Sequence, residues 1–272
     1  RAIGKTVLTE PRGDVPLTLQ LNWEQRMPDA LARALANGVR LFEWIGFVTA
    51  HAVITYTPNM ARQLGLDPDS PNVYPHGARY VDTERFRPTT PVRERDVLIG
   101  FVGRLDEEKG IRTLAAVAKQ LPDGVTFRFV GDGPLYEWLE SELAAEIKCD
   151  SVELAGWVDH DDIPVELNKI KLLVMPSRPT EGLPTTILEA MACGTPVYAT
   201  PVSGVPDIVF ENKTGFVMCE DNHTQIVRRI NDALDTHDIQ KMSQNCRELI
   251  ETEYSLNAAV TRYKRLLTEL TE

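Results

Sequence analysis

The chain has 272 residues, of which 43% are apolar and 25% are charged, the balance of an ordinary globular protein with one large domain or two smaller ones. Its net charge of −11 at pH 7 argues against a protein that binds nucleic acid through a global basic field, while a local basic pocket for a diphosphate stays open. No apolar run reaches about 18 residues and no signal-peptide pattern opens the chain, so we expect a cytoplasmic protein without a membrane-spanning helix.

The first 95 residues have an irregular pattern. Strands are predicted at residues 17–21, 52–56 and 73–77, with a long helix at 29–47 and a short one at 59–64. The prolines between residues 86 and 95 predict a linker between two domains. The run Trp44–Val48 in the long helix is apolar, which indicates either packing against a sheet or contact with a membrane surface.

From residue 97 onward, short apolar strands alternate with helices. Strands are predicted at residues 97–102, 125–130, 152–155, 172–175 and 196–200, with helices between them at 110–121, 134–148, 162–169 and 185–193. A further strand is predicted at 216–218, followed by a helical tail at 224–234, 239–251 and 256–270. This alternation predicts a doubly wound parallel sheet.

Two glutamates eight positions apart flank the start of the helix predicted at 185–193. Glu181 lies in the loop before this helix, and Glu189 lies on its second turn. Because five residues of helix rise about 7.5 Å, the two carboxylates are too far apart to share a proton. They suit the two ends of one long polar ligand, with the helix N-terminus between them as an anion site, although the spacing alone also fits two solvated charges.

Two cations follow the first strand of the regular region. Arg104 and Lys109 lie at the carboxyl end of this strand and just before a helix, where an open α/β sheet has its ligand crevice. An arginine fork and a lysine point charge together suit a diphosphate. The alternative is a charged loop in which Arg104 pairs with one of the three neighbouring acids at residues 106–108.

We expect no metal site. The D-x-D tripeptide at residues 67–69 lies in a proline-rich turn, and the second one, at 159–161, belongs to a segment 159–162 that can cap the helix after it. The five histidines show no ligand spacing, and the four cysteines lie far apart without a C-x-x-C pair, which favours free thiols.

The string Glu-Gly-Leu-Pro…Glu-Ala-Met-Ala…Gly-Thr-Pro from residue 181 to 196 resembles the E-x7-E segment of retaining GT-B glycosyltransferases of family 4. The pattern G-x-R-L…K-G at 103–110 and the G-x-G-P turn at 131–134 resemble the same family. The resemblance implies an α/β, GT-B-like fold. A doubly wound parallel-sheet nucleotide-sugar domain at 96–255 would follow a reduced or incomplete Rossmann-like N-terminal domain at 1–95. A C-terminal helix at 256–272 would pack back on the N-terminal domain.

The same resemblance implies transfer of a sugar from a nucleoside diphosphate sugar to a hydroxyl acceptor, which is a glycan, a lipid or a small molecule. It implies retention of configuration and no metal, cofactor or protein nucleophile. Arg104 and Lys109 would stabilise the diphosphate, Glu181 would hold the donor sugar, and Glu189 would bind the ribose. The implied catalytic residues are Arg104, Lys109 and Glu181, and the implied donor-binding residues are Gly103, Val158, Gly182, Leu183, Pro184, Thr185 and Glu189.

Two alternatives remain open because no N-terminal strand is seen to end in a glycine-rich loop. One is a non-catalytic module that binds nucleotide sugars. The other is a GT-B nucleotide-sugar epimerase, which uses the same diphosphate crevice.

Overall fold

The computed structural model describes residues 6–96, 98–178, 182–219, 222–236 and 238–271, and in this part of the chain two parallel sheets form the framework. The strands are β1 (Leu8–Thr9), β2 (Ala52–Ile54), β3 (Val73–Tyr74), β4 (Leu98–Val102), β5 (Thr126–Val130), β6 (Val152–Gly156), β7 (Leu172–Met175), β8 (Val197–Ala199) and β9 (Gly215–Val217). The helices are α1 (Val15–Glu24), α2 (Asp29–Thr49), α3 (Pro58–Gln63), α4 (Ile111–Ala118), α5 (Tyr136–Glu142), α6 (Ala144–Lys148), α7 (Ile163–Lys169), α8 (Thr185–Ala192), α9 (His223–Thr236), α10 (Ile239–Glu253) and α11 (Leu256–Thr271).

The larger sheet has the strand order β6-β5-β4-β7-β8-β9, and every pair is parallel. The chain therefore starts in the middle of the sheet, moves outward to β6, and returns to continue on the other side of β4. The predicted doubly wound sheet is confirmed. Its order reverses between β4 and β7, and the crevice beyond the carboxyl ends of these two strands is where ligands bind in such folds.

The central strands and their helices are apolar where they face each other. All five residues of β4 are buried, as expected for a strand covered by helices on both faces. In α4 the buried residues Ile111, Leu114, Ala115 and Ala118 recur at the helical spacing and form one stripe toward the sheet.

The smaller sheet has the order β1-β2-β3 and is also parallel. The strand predicted at residues 17–21 is wrong, because these residues lie inside α1. The Asp14 side chain accepts a hydrogen bond from the Leu17 N–H at 2.8 Å, and Pro16 lies in the first turn, so the local sequence starts a helix. The strand that precedes β2 is instead β1, which has only two residues and no readable alternation.

Helix α2 confirms the long helix predicted at residues 29–47. Phe47 is buried and packs with Ala50 and Val53. Trp44 and Val48, however, are 56% and 53% exposed, so packing explains only part of the apolar run. Contact with a membrane surface stays a prediction. None of the helices in the described ranges combines the length and hydropathy needed to cross a bilayer.

Residues next to the strands of the smaller sheet contact the rest of the chain through polar groups. The Asp207 carboxylate accepts a hydrogen bond from the Asn59 N–H at 2.8 Å, in the first turn of α3. The Tyr263 hydroxyl of α11 lies 3.3 Å from the Glu10 carboxylate, just after β1. Burial and the adjacent carboxylate raise the pKa of Tyr263 to about 12, so this hydroxyl stays protonated and donates the hydrogen bond. The predicted domain boundaries at residues 95 and 255 stay predictions.

Arg95, at the end of the predicted linker, is 4% exposed and donates only to neutral acceptors. Burial lowers the pKa of its guanidinium to about 10, which still leaves it charged at neutral pH. Its acceptors are Thr90 O, Leu167 O, Asn168 Oδ1, Ile170 O, Cys193 O and Thr195 Oγ1. A single side chain thereby joins the linker to the C-terminal ends of α7 and α8.

We expect Arg95→Met to lower the free energy of unfolding by at least about 3 kcal/mol, because it leaves several buried acceptors unpaired. The matched control is Arg93→Met, whose side chain is 65% exposed and pairs with Asp238 at 3.2 Å on the surface. The control should change stability by no more than about 0.5 kcal/mol. Urea unfolding midpoints compare the two variants, and equal losses would contradict the role given to Arg95.

Candidate active site

A cavity of about 430 Å³ opens at the carboxyl edge of the larger sheet, beside the reversal between β4 and β7. The turns after β4, β5 and β6 form its walls together with α7 and the first two turns of α8. Its lining residues are Val102, Gly103, Arg104, Val130, Gly131, Asp132, Trp157, Val158, His160, Ile163, Thr185, Thr186 and Glu189. Both its volume and its position are typical of a small-molecule site.

Two glycine turns form the floor of the cavity. The Gly103 N–H donates to Val130 O at 2.9 Å, which places the turn after β4 against the end of β5. Gly131 has φ +136°, and a Cβ there would lie 2.0 Å from Gly103 O. Only glycine fits at this backbone contact, and its absence of a side chain leaves the floor open.

The loop from Gly103 to Gly110 is held against the end of β7. Gly110 has φ +70°, and a Cβ there would lie 2.5 Å from Pro176 O. Within the loop, the Asp106 carboxylate accepts a hydrogen bond from the Lys109 N–H at 2.9 Å. The loop therefore has a fixed shape before α4 begins.

Arg104 lies on this loop, lines the cavity and is paired with acids. It forms an ion pair with Asp106 and a second one with Glu108 at 3.4 Å. The charged loop considered from the sequence is therefore present, and it holds the exposed guanidinium at the wall of the cavity. Lys109 is half-buried and is not part of the lining.

The N-terminus of α8 points into the cavity through Thr185 and Thr186. Its first-turn N–H groups carry the partial positive charge of the helix, which favours an anion. Pro184 takes the N-cap position with ψ 126°, directly before the helix begins. Leu183 is buried, and Gly182 packs against the backbone of Arg12, so neither they nor Pro184 line this cavity. Glu181 lies outside the described residues.

Glu189 is the buried acid of the cavity, with only 9% of the residue exposed, whereas the other acid in the lining, Asp132, is exposed. Its Oε1 lies 3.0 Å from His160 Nε2, within hydrogen-bond distance. The predicted position of Glu189 on the second turn of α8 is confirmed. A buried carboxylate with one bonded oxygen is suited to accept hydrogen bonds from ligand hydroxyls.

The C-terminus of α8 ends in a defined cap. Gly194 has φ +69° and donates to Met191 O at 3.0 Å, while the Thr195 N–H donates to Ala190 O at 2.8 Å. This pair of bonds is the Schellman motif, for which glycine is the usual residue in the left-handed conformation. The Cys-Gly-Thr-Pro string therefore fixes where α8 stops and β8 begins.

The structure brings five of the predicted residues to one cavity: Gly103, Arg104, Val158, Thr185 and Glu189. Sequence reasoning missed His160 and gave no role in the site to Trp157, which is 67% exposed at the cavity wall. Tryptophan after an apolar strand usually indicates packing, and His160 is the variable residue of a D-x-D tripeptide, where its identity carries no signal. Only the three-dimensional proximity to Glu189 identifies it.

The D-x-D tripeptides are explained by local contacts. The Asp67 carboxylate accepts a hydrogen bond from the Asp69 N–H at 3.1 Å, which is the predicted turn chemistry. Asp161 pairs with Arg85 at 2.7 Å, and the Asp162 side chain makes no cap bond to α7, so the predicted cap is wrong. Within the described ranges, no three side chains of His, Cys, Asp or Glu come together as a metal site. Metal independence stays a prediction.

The family model described as "Glycosyl transferases group 1" matches residues 82–251, which is more than half of the chain. The chain belongs to this family. The match spans the larger sheet and every residue that lines the cavity.

Among curated relatives, this group 1 glycosyltransferase chain is 31% identical to a 2-deoxystreptamine N-acetyl-D-glucosaminyltransferase of Streptomyces fradiae, over 68% of the chain and 45% of the relative. The chain spans about half the length of the curated relatives it matches.

Two solved structures show the fold. Sucrose-phosphate synthase from Thermosynechococcus elongatus superimposes with a TM-score of 0.77 at 22% identity, over 97% of this chain and 67% of that one. Anabaena HepE in complex with UDP has a TM-score of 0.72 at 18% identity, over 98% of this chain and 72% of HepE. These neighbours are GT-B glycosyltransferases, and the predicted GT-B-like fold is confirmed.

Proposed function

We propose that this group 1 glycosyltransferase transfers a sugar from a nucleoside diphosphate sugar to a hydroxyl acceptor with retention of configuration. The observation that carries the proposal is the cavity beside the reversal of the sheet, where a cation, a helix N-terminus and a buried carboxylate face one space. These are the three groups that a diphosphate and a ribose need side by side.

The arrangement of the lining groups suggests how the proposed donor nucleotide binds in the cavity. The diphosphate binds between Arg104 and the first turn of α8, where Thr185 and Thr186 present backbone N–H groups. The ribose hydroxyls donate to Glu189, and the base lies toward Trp157 at the far wall. The complex of HepE with UDP supports a diphosphate nucleotide as the ligand.

The chemical step is the departure of the nucleoside diphosphate. Arg104, Lys109 and the α8 N-terminus neutralise the charge that develops on the leaving oxygen. The acceptor hydroxyl attacks the same face of the sugar that the diphosphate leaves, and a diphosphate oxygen takes its proton. Glu181 holds the donor sugar hydroxyls in this proposal. No protein nucleophile, metal or cofactor takes part.

Product analysis tests this function against its two alternatives. A thermal-shift screen with UDP, GDP and ADP first selects the base, and labelled sugars of that nucleotide are then offered with hydroxyl acceptors. Transfer, or slow hydrolysis of the donor, supports a glycosyltransferase. Binding without turnover supports a non-catalytic module, and an epimerised donor supports an epimerase.

We expect Arg104→Ala to weaken nucleoside diphosphate binding by about 1.5 kcal/mol, the lower end of the range for a hydrogen bond to a charged group. The lower end applies because Arg104 gives up ion pairs with Asp106 and Glu108. Binding of the nucleoside without phosphates should change far less. The control is Arg112→Ala, which removes a cation paired with Glu107 at 2.6 Å and stacked on Trp138, outside the cavity lining. Calorimetric titration that gives unchanged diphosphate affinity for Arg104→Ala would falsify the assignment.

Substitutions of Glu189 and Glu181 should affect the binding of different ligands. Glu189→Gln should weaken binding of the free nucleoside diphosphate and of the donor alike, since both carry the ribose. Glu181→Gln should lower turnover or donor-sugar binding and leave the affinity for the free diphosphate nearly intact. Titrations with the nucleotide and with its sugar compare the two variants, and an equal loss of nucleotide affinity in both would refute the division of roles.

Transfer or donor hydrolysis should survive an excess of EDTA, because side chains and a helix N-terminus supply the positive charge at the leaving group. Asp67→Ala should also leave the rate nearly unchanged, as its carboxylate closes a turn. Rates of transfer or donor hydrolysis measured with and without EDTA test this prediction. An activity that is lost with EDTA and restored by Mg²⁺ or Mn²⁺ contradicts metal independence.

A further inference from the structure

The Glu189 carboxylate lies at the wall of a ligand-sized cavity, and its Oε1 is within hydrogen-bond distance of His160 Nε2. In the described part of the chain, no hydrogen bond or ion pair involves its other oxygen. His160 lies on the turn between β6 and α7, and Glu189 lies on α8, so the contact joins two walls of the cavity. The His160 side chain is 62% exposed, whereas the Glu189 side chain is 12% exposed. The histidine therefore approaches the carboxylate from the solvent side.

The turn that carries His160 is itself fixed by the linker. The ring of Phe86, which is 2% exposed, packs against the imidazole with 5.5 Å between ring centres. The neighbouring residue Arg85 forms an ion pair with Asp161 at 2.7 Å and stacks over the Phe86 ring. Phe86 thus contacts His160, and Arg85 contacts Asp161. Together these contacts limit the positions that the imidazole can take.

We infer that His160 is a positioning residue for ribose recognition: its Nε2–H holds one oxygen of Glu189, so that the other oxygen faces the ribose hydroxyls of the bound nucleotide. This inference rests on the proposed function, since it gives Glu189 the ribose. It adds a residue that touches no reacting atom and that acts through the carboxylate.

The physical reason lies in the freedom of the carboxylate. A glutamate side chain has three torsions, and a hydrogen bond from a held imidazole removes much of the freedom at its end. Less side-chain entropy of Glu189 is then lost when the ligand hydroxyls bind. A hydrogen bond donated to one oxygen also leaves the second oxygen with its full acceptor capacity.

Two variants separate the donor group of His160 from its packing. His160→Phe keeps a ring against Phe86 and removes the N–H donor. His160→Gln removes the ring and keeps an amide N–H donor at a similar distance along the side chain. Since the side chain is mostly exposed, both variants should fold, and thermal unfolding of each checks this.

The ligands are UDP, GDP and ADP, each compared with its 2′,3′-dideoxy counterpart by calorimetric titration. The wild-type protein should bind the ribose form of its nucleotide more tightly than the dideoxy form. His160→Phe should weaken binding of the ribose form about fivefold, the size of one ordinary hydrogen bond, and leave binding of the dideoxy form unchanged. His160→Gln should restore most of the preference, and His160→Phe combined with Glu189→Gln should lose no more than Glu189→Gln alone.

Different results would contradict the positioning role of His160 and the proposed ribose site at Glu189. If Glu189→Gln abolishes the ribose preference and His160→Phe keeps it, the positioning role is wrong while the proposed function stands. If His160→Phe weakens both forms equally, the histidine acts on another part of the nucleotide and the inference is also overturned. If the wild-type protein binds none of the nucleotides, or Glu189→Gln changes nothing, the ribose site itself is wrong.

Discussion

Two guanidinium groups at the C-terminal end of α8 are the contacts on which the site depends. Arg247 donates to Ala192 O at 2.9 Å, and the buried Arg95 donates to Cys193 O at 2.8 Å. Cations at this end of a helix satisfy its last carbonyls and complement its dipole. Arg247 also donates to Phe86 O at 2.7 Å, in the linker. Helix α8 presents Glu189 and its own N-terminus to the cavity. These hydrogen bonds therefore hold the helix at its opposite, C-terminal end.

A second set of contacts also joins the linker to α8. The carbonyl of Phe86 binds Arg247, while its ring packs on His160, which contacts Glu189 inside the cavity. The C-terminal end and the second turn of α8 are thus both connected to one short segment between the two sheets. The buried charge of Arg95 is tolerated because every donor finds a neutral acceptor, and this network needs the linker, α7 and α8 in one arrangement. The geometry of the site and the course of the linker are consequently not independent.

The sequence predicted most of the larger sheet because its strands are short and apolar and alternate with helices. It failed at residues 17–21, where Leu-Thr-Leu-Gln-Leu alternates like a strand while Asp14 and Pro16 start a helix. It predicted Arg104 and Glu189 through motifs. His160 could not be predicted, because its role comes from a contact between a loop residue and a helix residue that lie 29 positions apart. The role of Arg95 could not be predicted either, because its hydrogen-bond acceptors at the C-terminal ends of α7 and α8 lie far from it along the chain.

The acids around Arg104 bear on how this acidic chain binds an anion. In the loop the guanidinium is already paired with Asp106 and Glu108, so a diphosphate gains only the difference between its own ion pairs and those it replaces. Glu189 and the backbone N–H groups of α8 carry no such competing ion pair from an Arg or Lys in the described contacts, and the Arg95 and Arg247 bonds keep them in place. In the proposed binding mode, the first-turn N–H groups of α8 therefore bind the diphosphate without giving up an ion pair, whereas Arg104 exchanges its pairs with Asp106 and Glu108 for the phosphate oxygens.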